Sequence, residues 1–82
     1  MTLKQLLNVW LNGDDKLNVT AMAYNSFGEY YSFRTLANVF LSEMHVKDWK
    51  NEFSEDELSL EVISVYNHEN TLWIDVKEIV DV

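Results

Sequence analysis

A single α+β domain, with an antiparallel four-stranded sheet and helices mainly on one face, is what this chain predicts. A helical apolar stripe opens it, two stretches alternate with period two around turn residues, and a second helical spacing stands between them. The element order is αββα(α)ββ over residues 1–82, with no Pro, linker or internal repeat to divide the domain.

The first helix is defined at both ends. Thr2 caps it and Gln5 reaches back in a capping box, Leu3, Leu6, Leu7, Trp10 and Leu11 form its stripe, and Gly13 is the expected stop. Leu17, Val19, Ala21 and Ala23 then share one face of a strand, with Asn18, Thr20, Met22 and Tyr24 on the other. The two alanines imply a helix packed closely over them. Asn25-Ser26-Phe27-Gly28 has turn chemistry, and Glu29 to Phe33 is the aromatic return strand.

From Arg34 the spacing of Leu36, Val39, Phe40 and Met44 predicts a second helix capped by Ser32 or Thr35. Val46, Trp49 and Phe53 are weakly periodic, a short helix or an ordered loop. Ser54-Glu55-Asp56-Glu57 offers another cap, but no apolar helical pattern follows it.

The strongest signal is Leu58 to Val76, a hairpin reversing over Asn67-His68-Glu69-Asn70. Its first strand carries apolar residues on both faces, which predicts a place inside the sheet. Alternation through Lys77 to Val82 extends the second strand or leaves a frayed tail. One sheet face needs a cover over Ile63, Val65 and Trp73, supplied by Val46 to Phe53 or by a second copy of the chain.

Composition narrows the function classes. With 48% hydrophobic and 13% aromatic residues the chain folds rather than staying disordered. The net charge of −8 opposes direct nucleic-acid binding, which needs a cationic face, and suits a basic partner surface. The absence of Cys excludes disulfides and thiolate chemistry. No run approaches the roughly 20 apolar residues of a membrane span and no basic-apolar leader opens the chain, so no membrane partner is expected.

No catalytic, cofactor-binding or metal-binding residues are assigned, and no cofactor is expected. His45 and His68 lie in different elements without ligand spacing, and the acids around Glu55 lack the alternating positions and Gly of a calcium loop. Two Gly provide no phosphate-cradling loop, and no Ser sits in a nucleophile elbow, so an enzyme is not expected.

Thr2-Leu3-Lys4-Gln5-Leu6-Leu7, the Tyr-rich return strand, Glu61-Val62-Ile63-Ser64-Val65 and Asn70 to Val76 resemble the layout of small acidic phage and prophage accessory proteins. That resemblance implies a phage-derived protein in the host cytoplasm that binds a host protein, as anti-CRISPR inhibitors do. Expected contact residues are Tyr30, Trp49, Glu52, Glu55, Asp56, Glu57 and Glu61, the acids standing in for phosphates of a nucleic acid. A homo-oligomeric structural or regulatory phage protein is the alternative reading, and a small enzyme or metal protein the second.

Overall fold

Two hairpins lie side by side and meet through a parallel pair of strands. In the computed structural model the described residues are 1–9, 16–40 and 52–80. Along the chain they form α1 (Leu3–Val9), β1 (Lys16–Tyr24), β2 (Tyr30–Phe40), α2 (Glu55–Leu58), β3 (Glu61–His68) and β4 (Thr71–Ile79). The sheet order is β2-β1-β4-β3. The expected α+β layout of four strands and short helices is present, but the sheet is mixed rather than antiparallel, because β1 and β4 run parallel in the middle.

The cap of α1 forms as its residue types require. The Thr2 amide donates to Gln5 Oε1 at 2.9 Å and the Gln5 amide to Thr2 Oγ1 at 3.3 Å. Leu3, Leu6 and Leu7 are buried by this helix, and the Leu3 amide donates to the Leu60 carbonyl, which moors it beside β3. Trp10, Leu11 and the expected stop at Gly13 lie outside the described residues.

β1 behaves as its alternation dictates, with Leu17, Val19, Ala21 and Ala23 all buried. In β4 the matching set is Leu72, Ile74 and Val76, each in register with a β1 core residue: Leu17 with Leu72, Val19 with Ile74, Ala21 with Val76. Phe53 and Leu58 close the same core from the α2 side. The acid-rich Glu55 to Leu58 segment is helical although it lacks a stripe. A complete capping box holds it, with the Ser54 amide donating to Glu57 Oε1 at 2.8 Å and the Glu57 amide to Ser54 Oγ at 3.1 Å.

The expected helix from Arg34 is not formed through Phe40. Those residues, Thr35 among them, continue β2, and Ser32 lies in the same strand, so neither is a cap. The physical reason is a register shift: Val19 pairs with Ala37 but Thr20 pairs with Thr35, which leaves Leu36 as an extra residue. A bulge breaks period two, and a broken period-two run of Leu36, Val39 and Phe40 imitates helical spacing. Residues 41–51, which include Met44 and most of the Val46 to Phe53 segment, lie outside the described residues.

The last hairpin is shorter than its sequence signal. Leu58 belongs to α2, β3 starts at Glu61, and the reversal is the two-residue turn Glu69-Asn70. Both turn residues have positive φ, 53° and 59°, the backbone of a type I′ hairpin that matches strand twist. β3 is at the edge of the sheet and β4 is inside, the reverse of what the two-sided apolar pattern of β3 implied. Ile63 explains the misreading: it is the extra residue of a second bulge, between Val62 opposite Val76 and Ser64 opposite Asp75. Val65 then pairs with Ile74 on the core side, whereas Trp73, paired with Tyr66, is on the opposite face as expected.

The left-handed backbone of Glu69 is unfavourable for a residue with a long side chain, and Asn-Gly is the preferred pair for this turn. Replacing Glu69→Asn together with Asn70→Gly is expected to raise stability by about 1 kcal/mol. Urea unfolding should show a higher midpoint with an unchanged slope.

Candidate functional site

Two regions carry the side chains that sequence reasoning singled out. One is the corner where α2 meets the sheet; the other is the sheet face away from the core.

The corner is built on small residues of β1. Arg34 of β2 is in register with Ala21, and Glu78 of β4 is in register with Ala23, so both side chains flank β1 on its alanine face. They meet across it. Arg34 Nε donates to Glu78 Oε2 at 3.2 Å and Nη2 donates to Oε1 at 2.8 Å, a two-pronged pair. Arg34 Nη1 also lies 3.7 Å from Glu57 Oε2, which ties α2 to the sheet. The alanines therefore make room for an ion pair at this end of β1, where a close-packed helix was expected.

The hydrogen bond from Arg34 holds the Glu78 carboxyl below the usual glutamate range, outweighing the opposing effect of burial. Arg34 is correspondingly held in its charged form, chiefly by the same bond. Beside the pair lies an open cleft of about 360 Å³ lined by Arg34, Ser54, Asp56, Glu57, Leu60 and Glu78. Among the described lining residues the cation is Arg34, already engaged by two carboxylates. Chemically the cleft and its rim favour a cationic group, not an anion.

The expected acids divide by what they touch. Glu52, Glu55 and Asp56 are exposed at the start of α2, whereas Glu57 is half-buried and committed to the capping box and Arg34. Glu61 is exposed and pairs with the Met1 amino group at 2.9 Å. Tyr30 is exposed on the far face, edge-on to Tyr24 at 5.9 Å, away from the acids. Trp49 and His45 lie outside the described residues. His68 is exposed at the end of β3, 3.6 Å from Glu69. Among the described residues no three His, Cys, Asp or Glu side chains stand together as a metal site.

No family model, curated protein or solved structure matches this chain.

Arg34 and Glu78 are the site residues that sequence reasoning missed. The available signal was a lone Arg as the one charged residue of its strand, a cation that needs a carboxylate once the strand is placed against others.

On the far face Asp75 has the opposite electrostatics to Glu78: burial alone pushes its carboxyl up. For Glu78, whose folded pKa is lowered, the stabilisation is present above the unfolded glutamate range and is lost as pH falls through the folded value. For Asp75, whose folded pKa is raised, a penalty is absent in acid and accumulates as pH rises from the unfolded to the folded value. Glu78→Gln is expected to cost less than about 1 kcal/mol at neutral pH, because Arg34 is half exposed, with the difference vanishing in acid. Asp75→Asn should stabilise at neutral pH and lose its advantage in acid; urea midpoints across pH read both. Ala23→Leu should cost about 1–3 kcal/mol by overpacking the space under the ion pair, read as a lower urea midpoint.

Proposed function

We propose that this chain is a non-catalytic protein-binding module whose acidic corner docks onto a basic surface of a partner protein. The observation that carries the reading is the division of the acids around α2. Glu52, Glu55 and Asp56 are exposed, while Arg34, the cation described at this corner, is taken by Glu57 and Glu78. Three exposed carboxylates, without an ion-pair partner among the described residues, on a chain of net charge −8 attract cations of a partner over about a Debye length, roughly 8 Å at physiological salt.

A basic partner that normally receives nucleic acid fits this chemistry, since carboxylates spaced along a helix start and its approach loop present charge as phosphates do. The resemblance to small phage and prophage accessory proteins makes that partner a host protein in the bacterial cytoplasm, inhibited or modulated by the module as an anti-CRISPR protein would do. The acids also have a structural use: in the first turn they favour the helix dipole by a few tenths of a kcal/mol each. That use calls for charge near the helix start, not for three exposed side chains including Glu52 ahead of the cap.

The test is capture from bacterial lysate by the wild-type chain and by a Glu52→Gln, Glu55→Gln, Asp56→Asn variant. Charge-driven docking predicts a retained basic protein that is released by modest added salt and lost with the variant. Retention equal for both proteins and indifferent to salt would sink the reading.

A further inference from the structure

We infer that the sheet face opposite the core is a self-association surface, which a second copy of the chain covers face to face. Three observations on the fold lead there. Parallel strands are found almost only where both faces of a sheet are covered, and β1 and β4 are a parallel pair with helices described on one face. The opposite face is aromatic where a solvated sheet face is polar. Tyr30, Phe33 and Phe40 of β2, Tyr66 of β3 and Ile79 of β4 share it by register, each half or more exposed, with Phe33 at 64%.

The face is also ordered as a contact surface. Tyr66 stacks on Trp73, with ring planes 6° apart and centroids at 6.0 Å, and Lys16 and Lys77 lie over the Phe40 and Tyr24 rings at 5.4 and 5.2 Å. Asn18, in register with Trp73 there, is 8% exposed, and among the described residues neither its Oδ1 nor Trp73 Nε1 has a hydrogen-bond partner. Buried polar atoms without partners on two residues in register mark a surface already partly withdrawn from water.

Charge and area select a second copy as the occupant. Among the described residues the register places Lys16, Lys77, Asp75 and Glu61 on this face, with Glu61 already paired to the Met1 amino group, so it is near-neutral although the whole chain carries −8. A neutral face gives a strongly charged partner no complement, and it is where two such acidic chains meet without opposing carboxylate clusters. Strands of nine residues at about 3.3 Å per residue, four abreast at about 4.8 Å, make a face of about 570 Å². Two such faces remove about 1,100 Å², above the roughly 1,000 Å² a specific interface needs.

This inference is independent of the acidic corner, and salt separates the two. Sedimentation equilibrium of the full chain is expected to give twice the 9.7 kDa chain mass, with association unchanged or strengthened by added salt as self-repulsion is screened. Phe33→Glu with Tyr66→Glu, checked for retained fold by circular dichroism, should weaken association at least tenfold, and the milder Tyr66→Ser should weaken it less. A single-chain mass at about 1 mM protein overturns the inference, leaving the face to a different protein. A dimer that persists undiminished in the folded double variant overturns it as well.

Discussion

Everything in this fold depends on the parallel ladder between β1 and β4. Each outer strand is paired with its inner neighbour by a local hairpin, but only the register from Lys16 with Thr71 to Tyr24 with Ile79 joins the two halves into one sheet. That ladder sets Leu17 beside Leu72 and Val19 beside Ile74, and so creates the apolar strip that α1 and α2 cover. The Lys16 amide donating to the Asn70 carbonyl begins it and the Val80 amide donating to the Tyr24 carbonyl ends it. Because its partners are more than fifty residues apart, the loop-closure entropy must be met before the core contacts form, and folding should be slow for a domain of this size.

The same ladder determines where the ion pair stands. Placing Ala21 and Ala23 between Arg34 and Glu78 gives two long side chains a path across the middle strand, which larger residues would block. Arg34 then reaches Glu57, and a four-residue helix too short to be stable alone is held by its capping box, by Leu58 in the core and by this contact. The position of the exposed acids at the start of α2 thus follows from two alanines in β1. A sequence-level choice of small residues becomes a surface electrostatic feature some thirty residues away.

Local features were legible in the sequence and long-range ones were not. The Thr2 and Gln5 capping box, the buried Leu3, Leu6 and Leu7, and the alternation of β1 and β4 follow from spacing alone, because each involves neighbours in the chain. The parallel pairing does not, since period two is the same for either strand direction. Bulges hid the rest: Leu36 disguised the second half of β2 as a helix, and Ile63 disguised the edge strand β3 as an inner one. At the corner the exposed Glu52, Glu55 and Asp56 were readable as charge. The neutralisation of Glu57 was not, because its partner Arg34 arrives from another strand.

Among the described residues charge is distributed unevenly between the sheet's two sides. The core side ends in an acidic corner whose guanidinium is spent on internal pairs, with Glu52, Glu55 and Asp56 exposed beside it. On the opposite side the charges of the described residues nearly balance, lysines lie on aromatic rings, and the ionised form of Asp75 is disfavoured by burial. Contacts there draw on apolar area, which added salt does not weaken. In the dimer proposed above, two chains of −8 meet through their near-neutral side, which leaves the acidic corners of both copies facing solvent. Two-fold pairing through the sheet would then present the acidic surface twice, and a partner with two basic sites would gain from avidity what a single small corner lacks.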